Sequence, residues 1–271
     1  MMTPLASIIV PAFNEASRLE ESLPILLDYA KRSEGAELIV VDDGSTDETS
    51  TVVARLAHRG AVRVRCIRYE QNRGKGHAVR VGLLAARAPI AVFTDADLST
   101  PISELPKLLT PIVSGKSDLT FGSRALDRAL IGVHQPRLRE IGGQVFNLLM
   151  RAGTGLPFQD TQCGFKAFRM SVCRPIVEAA TVDRFGFDVE LLYVAHRAGL
   201  RLQEIPVRWD HRDGSKVSVR RDSLRMIEEI RLIRRQAAAG VYDRAINDVW
   251  ATTPRTDREW ALRPLVPKVV G

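Results

Sequence analysis

Three acidic clusters in the first hundred residues could bind a cation or a phosphorylated ligand. They are Pro11-Ala12-Phe13-Asn14-Glu15, Val41-Asp42-Asp43-Gly44-Ser45 and Asp95-Ala96-Asp97-Leu98-Ser99. One Asp after a strand is usually a helix cap. Several carboxylates in one place repel each other unless cations or hydrogen-bond donors compensate them, so a divalent metal is the expected occupant.

The triplet Asp95-Ala96-Asp97 has a spacing that suits a metal. In an extended turn, alternate side chains point the same way, so two carboxylates can meet a hard cation while phosphate oxygens complete its coordination. Mg²⁺ or Mn²⁺ bound there would neutralise the charge that develops on a departing nucleotide diphosphate. The triplet is common by chance, and its position directly after an apolar strand makes it informative.

A glycine-rich segment, Asn72-Arg73-Gly74-Lys75-Gly76-His77, precedes a predicted helix. The start of that helix, with Lys75, could face phosphate. The segment lacks Walker spacing, and no GxGxxG follows the first strand, so the sequence disfavours a kinase and a nicotinamide dehydrogenase. We expect His77 to pack or cap rather than to catalyse.

The elements that must position these residues alternate between strand and helix. Predicted strands are Ser7–Val10, Glu37–Val41, Val62–Ile67, Pro89–Thr94 and Leu119–Gly122, and predicted helices are Ala16–Lys31, Thr46–His58 and Gly76–Ala86. Continuous apolar strands between amphipathic helices predict an α/β fold with a mostly parallel sheet covered on both faces. Ligands of such sheets bind at the carboxyl ends of the strands, which is where the acidic clusters lie.

The pattern changes after residue 125. Arg137–Arg151 is amphipathic, mixed elements follow through Trp209, and Asp222–Ala239 reads as a basic helix. We therefore expect one domain over residues 1–240, with a nucleotide-binding half (1–125) and an acceptor half (126–240). Residues 241–271 are expected to form a tail, loosely docked from Thr252 onward.

Charge and composition narrow the class of partner. The 271 residues carry a net charge of +7, which suits nucleic acid, an anionic membrane surface or phosphorylated ligands. No nucleic-acid module or aromatic stacking pattern is evident, so we expect a membrane surface and phosphates, and no nucleic acid. We expect Met1 to Val10 to lead into the first strand rather than to form a signal peptide, and no apolar run reaches the ~18 residues of a membrane span. The three scattered cysteines predict reduced thiols in a cytosolic protein.

Taken together, the motifs resemble glycosyltransferase family 2, which has the GT-A fold. The second half resembles its dolichyl-phosphate glucosyltransferase branch, which is also similar to dolichol-phosphate mannose synthases. The motifs that carry this narrower resemblance are Phe121-Gly122-Ser123-Arg124, Asp160-Thr161-Gln162-Cys163-Gly164-Phe165-Lys166, Phe187-Asp188-Val189-Glu190 and Gly214-Ser215-Lys216. The match runs in the expected order from about residue 5 to about residue 235.

The resemblance implies roles for individual residues. A nucleotide-sugar site would comprise Pro11, Phe13, Asn14, Glu15, Val41, Asp43, Lys75, Asp95, Ala96 and Ser215. Within it, Asp43 (or Asp42) would bind the base, and Asp95 and Asp97 would hold the metal. Relatives that make mannosyl lipids often have Gln where this chain has Ser99, which leaves the third metal contact open and favours the glucosyl branch.

Catalytic roles implied by the resemblance fall on Asp97, Arg124, Arg139, Asp188, Glu190 and Lys216. The two arginines would hold the acceptor phosphate, and Ser215 with Lys216 would close over the diphosphate. Asp188 and Glu190 either form an acidic pair in the site or hold basic side chains that shape it.

The implied reaction is transfer of glucose from UDP-glucose to polyprenyl phosphate, with inversion at the anomeric carbon. A phosphate monoester is already anionic at neutral pH, so it needs positioning and screening more than a general base. Alternatives are a GDP-mannose-dependent transferase, a nucleotidyltransferase and a non-catalytic nucleotide- or lipid-binding protein. The lipid acceptor implies a peripheral enzyme on the cytoplasmic face of a membrane, attached through Arg137–Arg151 and the basic helix; the sequence does not indicate an oligomeric state.

Overall fold

The computed structural model describes residues 5–33, 36–57, 62, 64–133, 147, 150–212 and 219–252. The strands are β1 (Ala6–Ala12), β2 (Glu37–Asp43), β3 (Val64–Tyr69), β4 (Ile90–Thr94), β5 (Leu119–Ser123), β6 (Ile131–Val133), β7 (Phe165–Arg169), β8 (Leu202–Pro206) and β9 (Trp209–Asp210). The α-helices are α1 (Ala16–Arg32), α2 (Thr49–Ala57), α3 (Lys75–Ala85), α4 (Leu105–Val113), α5 (Met170–Ala179), α6 (Phe187–Arg197), α7 (Val219–Ala238) and α8 (Asp243–Thr252). Short 3₁₀ turns cover Ile102–Glu104 and Arg128–Leu130, and residues 150–154 are helical.

Seven strands form one sheet in the order β3-β2-β1-β4-β7-β5-β8, and β6 pairs with β9 in a small second sheet. Every pairing in the large sheet is parallel except those of β7, which runs antiparallel to both β4 and β5. The predicted mostly parallel sheet is therefore confirmed. Because β7 is reversed, its first residue lies opposite the last residue of β4, with Phe165 facing Thr94.

Both faces of the large sheet are covered by helices. Successive strand residues point to opposite faces, so Ile8 joins the cluster that contains the buried side chains of α1, α2 and α4. Ile9 joins the larger cluster, which contains those of α3, α5, α6, α7 and α8. This two-sided burial explains why the strands read as unbroken apolar runs.

The C-terminal elements extend the packed domain beyond the expected boundary at residue 240. Tyr242 and Val249 are fully buried, and Trp250 donates its indole N–H to the Ala198 carbonyl over 2.9 Å. Helix α8 thus packs on α5 and α6, and ordered packing continues to Thr252.

Helix α7 matches the predicted basic helix. In its second half Ile230 and Ile233 are buried, while Arg231, Arg234 and Arg235 are exposed. Its apolar side is therefore used by the core. Among the described residues, no helix is long and apolar enough to cross a bilayer. All three cysteines are free, as expected, and burial raises the pKa of Cys163 to about 11.

Candidate functional site

The predicted ligand-binding edge is formed by the carboxyl ends of four strands. The order β2-β1-β4 puts the three acidic clusters side by side, and Arg124 follows β5 at the same edge. The reversed strand β7 begins there, and α3 and α6 begin with Lys75 and Phe187. Sequence reasoning placed the clusters together correctly, because parallel strands end at a common edge.

The first two clusters bind each other. Asn14 has a positive φ of 53°, and its side-chain Oδ1 accepts hydrogen bonds from the backbone N–H groups of Thr46 (2.8 Å) and Asp47 (3.3 Å). The Asn14 N–H donates to Ser45 Oγ over 2.9 Å. Glu15 pairs with Arg18 at 3.0 Å. Pro11 and Val41 are paired, buried neighbours in β1 and β2, and the Phe13 ring is 37% exposed beyond the strand end.

Asp43 anchors the loop that leads into α3. Its carboxylate accepts hydrogen bonds from Asn72 Nδ2, Arg73 N–H and Gly74 N–H, each over 2.8 Å. The residue is only 2% exposed. The structure thus gives Asp43 a structural role that the sequence did not suggest, because it fixes the position of Lys75 at the start of α3.

The triplet Asp95-Ala96-Asp97 forms a tight turn after β4. Asp97 Oδ1 accepts a hydrogen bond from Ser99 N–H over 2.9 Å, and Leu98 adopts a positive φ of 48°. Ala96 is buried, whereas the Asp95 side chain is 35% exposed. The turn therefore presents both carboxyl groups at the sheet edge.

Lys75 neutralises Asp95. Its Nζ lies 2.6 Å from Asp95 Oδ1. Burial by itself lowers the pKa of Lys75, but the charges of Asp95 and Asp188 outweigh it and raise the net pKa above the ordinary value. A Cβ at Gly164 would lie 2.1 Å from Asp95 Oδ2, so a larger residue there would displace the Asp95 carboxylate from this position.

The assignment of a metal to Asp95 and Asp97 remains a prediction. Among the described residues, no three Asp, Glu, His or Cys side chains are grouped so that they could hold a metal. Glu15, Asp43 and Asp95 are each compensated by donors or cations of the chain itself.

A second buried ion pair lies behind the turn. Lys166 is fully buried in β7; its Nζ donates to the Cys163 carbonyl over 2.6 Å and lies 2.6 Å from Asp188 Oδ1. Burial raises the pKa of Asp188, and the charges of Lys166 and Lys75 oppose this only in part. Asp188 thus holds a basic side chain, one of the two roles expected for it.

Glu190 stabilises the loop between α5 and α6. Its fully buried carboxylate accepts hydrogen bonds from Thr181 N–H (3.0 Å), Val182 N–H (2.9 Å) and the Tyr242 hydroxyl (2.7 Å). Asp183 in this loop accepts a hydrogen bond at its carbonyl from His77 N–H in α3 over 3.1 Å. The geometry gives Glu190 a structural role rather than a place among the reacting groups.

Arg124 is held rigidly at the end of β5. Its Nε and Nη2 donate to the two carboxylate oxygens of Asp160 over 2.6 and 2.8 Å, and its backbone N–H donates to the same group over 3.0 Å. Burial opposes the charge of Arg124, but Asp160 raises its pKa, so the guanidinium stays charged. The side chain is 32% exposed and lies 5.7 Å from the Trp209 ring centre.

Three predicted site residues, Arg139, Ser215 and Lys216, lie outside the described residues. Sequence reasoning quoted Asp160 and Lys166 within a motif but assigned them no role, and it missed the loop at Asp183 altogether. For Lys166 a signal existed, because it is a charged residue between the apolar residues Phe165 and Ala167. Nothing local reveals the partners of Asp160 and Lys166, which are 36 and 22 positions distant in sequence (160 − 124 and 188 − 166).

Solved structures confirm the GT-A fold. The glucosyl-3-phosphoglycerate synthase of Mycobacterium tuberculosis, in complex with Mn²⁺, UDP and phosphoglyceric acid, superposes with a TM-score of 0.62 at 20% identity. The match covers 85% of this chain and 77% of that chain. At this identity the likeness establishes the fold alone.

Curated relatives share more sequence. The dolichyl-phosphate beta-glucosyltransferase of Saccharomyces cerevisiae is 31% identical over 253 residues, covering 87% of this chain and 76% of the relative. The protein of the same name from Drosophila melanogaster is 37% identical over 225 residues, covering 78% and 69%. The human one is 32% identical over 253 residues, covering 87% and 76%. The sequence signature of Glycosyl transferase family 2 matches residues 7–176. The chain is therefore a glycosyltransferase and belongs to glycosyl transferase family 2.

Proposed function

We propose that this enzyme transfers glucose from UDP-glucose to a polyprenyl phosphate such as dolichyl phosphate. The observation that carries the proposal is the relationship to dolichyl-phosphate beta-glucosyltransferases of yeast, fly and human, at 31–37% identity over most of each chain. The geometry supports it, since a nucleotide edge on β1, β2 and β4 adjoins a rigid, charged Arg124 on β5.

The turn at Asp95 and Asp97 fits a divalent cation that is also held by the donor. Mg²⁺ is commonly bound by one or two carboxylates and completed by substrate phosphates and water. Asp97 Oδ2 accepts no hydrogen bond from the residues that the structure describes, and carboxylate oxygens suit Mg²⁺ or Mn²⁺. Asp97 would be the principal ligand and Asp95, which pairs with Lys75 in this structure, the second. The bound cation would screen negative charge on the departing UDP.

Arg124 is the residue that we assign to the acceptor phosphate. Asp160 fixes the plane of the guanidinium through two parallel hydrogen bonds, which fixes the directions of the three remaining N–H bonds. The exposed third of this side chain can then bind an anionic oxygen without further ordering. Positioning of this kind can supply much of the rate enhancement of a reaction between two bound molecules.

No side chain of the described site is placed as a general base, and the chemistry does not require one. Asp188 faces Lys166 and Glu190 faces backbone N–H groups, so neither is directed at the acceptor. The phosphate monoester is itself anionic near neutral pH. Its oxygen would attack the anomeric carbon opposite UDP, forming the new bond as the bond to the diphosphate breaks, with inversion.

The enzyme would work at a membrane surface, because its acceptor is a lipid. Burial of the apolar side of α7 leaves its arginines as the contacts for anionic headgroups. We therefore propose a peripheral, electrostatic association on the cytoplasmic face.

A donor-comparison assay tests the proposal. Purified protein, polyprenyl phosphate and Mn²⁺, Mg²⁺ or a chelator are incubated with labelled UDP-glucose or GDP-mannose, and label in the organic phase is counted. We expect transfer from UDP-glucose, dependent on the cation. Transfer from GDP-mannose alone would overturn the donor assignment. Undiminished transfer by Asp97→Ala would overturn the metal assignment.

A further inference from the structure

The ion pair between Lys75 and Asp95 occupies the same carboxylate that the proposed cation needs. Lys75 Nζ is 2.6 Å from Asp95 Oδ1, and the two side chains are 25% and 35% exposed. An ammonium group and a divalent cation repel each other strongly at such distances when water is partly excluded. The two cations therefore cannot share Asp95 in this geometry without a cost.

Both partners of this pair are fixed by the fold. Lys75 is the first residue of α3, and three hydrogen bonds from Asn72, Arg73 and Gly74 to Asp43 hold the preceding loop. The Asp95 carboxylate packs against Gly164, at a distance that admits no side chain. The contact is thus built into the site and is not a chance meeting of two flexible surface chains.

We propose that Lys75 is an internal counter-ion of Asp95, and that it holds metal affinity low until a nucleotide diphosphate arrives. This inference rests on the proposed metal turn. The diphosphate brings negative charge that attracts the Lys75 ammonium, while the cation takes its place at Asp95. The pair of Lys75 with Asp95 is then replaced by two pairs, Lys75 with the diphosphate and the cation with Asp95, so no charge is left uncompensated.

The consequence is a metal site that is weak alone and strong with donor. When two ligands assist each other's binding, each typically raises the affinity for the other by about 5- to 150-fold. Direct coordination of the diphosphate by the metal also couples the two ligands. The specific signature of Lys75 is therefore the affinity for metal in the absence of nucleotide.

The test is a titration of the full chain with Mn²⁺, followed by the electron paramagnetic resonance signal of free Mn²⁺, with and without UDP. For Lys75→Met we expect Mn²⁺ alone to bind about tenfold tighter than to the wild type, because one competing charge is gone. UDP should bind more weakly, since its phosphates lose a cation. Lys75→Arg should resemble the wild type.

The matched control is Lys107→Met. Lys107 also lies 2.6 Å from a carboxylate, but it belongs to α4 and pairs with Glu104 rather than with a residue of the turn. Its removal should leave both affinities unchanged. Thermal melts of every variant establish that the protein is folded; should Lys75→Met unfold, Lys75→Gln is used in its place.

Equal or weaker binding of Mn²⁺ alone by the folded Lys75→Met or Lys75→Gln protein would overturn the proposal. The titration involves neither sugar nor lipid, so it can succeed even if glucose is not the transferred group. Conversely, cation-dependent glucose transfer with no change in Mn²⁺ affinity would leave the proposed function intact and remove the counter-ion role.

Discussion

At the scale of single residues, the site is a set of matched charges. The sequence pointed to Asp95 because it follows an apolar strand, the family resemblance pointed to Asp188, and Asp160 was assigned no role. Sequence reasoning did not find their partners, since Lys75, Lys166 and Arg124 reach Asp95, Asp188 and Asp160 only through the tertiary fold. The argument that clustered carboxylates need a metal was therefore incomplete.

Arg124→Lys is expected to impair acceptor binding. A lysine cannot make the two parallel contacts with Asp160, so the cation would lose its fixed direction. We expect kcat/KM for polyprenyl phosphate to fall by about 10- to 100-fold, with the dissociation constant for UDP unchanged. Steady-state kinetics with varied acceptor, together with calorimetry for UDP, measure both. An unaltered KM for the acceptor would contradict the assignment.

Asp118 provides a prediction about pH that is separate from catalysis. This buried carboxylate accepts hydrogen bonds from Arg201 N–H, Nε and Nη2 over 2.9–3.0 Å. Burial alone raises the pKa of Asp118, but the bonds and charge of Arg201 outweigh it and lower the net pKa.

Because the folded-state pKa is below the unfolded value of about 3.9, the pair stabilises the protein fully above that pH. Its contribution is lost as the pH falls through the lower, folded-state pKa. Asp118→Asn should therefore cost about 1–3 kcal/mol of unfolding free energy at pH 7 and less near pH 3. Urea titrations across this range measure the difference in unfolding free energy between the wild type and Asp118→Asn. A difference that grows on acidification would refute this role of Asp118.

At the scale of elements, the apolar runs predicted the bounds of β1 to β5 within a few residues, but they did not predict β7 or α8. The β7 sequence includes Lys166, whose burial is explained only by the distant Asp188. Helix α4 was not predicted either, because it contains Pro111 and proline usually ends a helix. For α8 a signal existed, because Tyr242, Ile246 and Val249 have helical spacing and all are buried.

Tyr242, the residue directly before α8, connects the C-terminal part of the chain to the site. The Tyr242 hydroxyl bonds to Glu190, which holds the α5–α6 loop against the start of α3. At Gly74, where φ is 112°, a Cβ would lie 2.4 Å from the Asp183 carbonyl oxygen of that loop.

We expect Tyr242→Phe to lower the unfolding free energy by about 1–2 kcal/mol, because Glu190 loses a buried donor. The control is Tyr193→Phe, since the Tyr193 ring lies 6.0 Å from Arg197 and its hydroxyl has no hydrogen bond within the described residues. Chemical denaturation compares the two, and equal losses of unfolding free energy would argue against a stabilising role of the Tyr242–Glu190 hydrogen bond.

At the scale of the whole molecule, charge is expected to direct the enzyme to its lipid. Arg231 and Arg235 are exposed on α7, and each basic residue near an anionic surface contributes about 1 kcal/mol. The double variant Arg231→Gln, Arg235→Gln should bind anionic vesicles about tenfold or more weakly at low salt. Vesicle sedimentation measures this.

The control removes two arginines from helices on the other face of the sheet, Arg32 in α1 and Arg55 in α2. It has the same change in net charge. If both double variants lost binding equally, the attraction would be a property of net charge and not of α7.

The stereochemistry of the product tests the proposed function most directly. Purified enzyme, UDP-α-glucose, Mn²⁺ and polyprenyl phosphate are combined, and the anomeric proton of the organic-phase product is observed by NMR. We predict a β-linked glucosyl phosphate lipid from the wild type, formed with inversion, and almost none from Asp97→Ala. An α-linked product, or no lipid product from a folded enzyme that binds UDP, would contradict the proposed function.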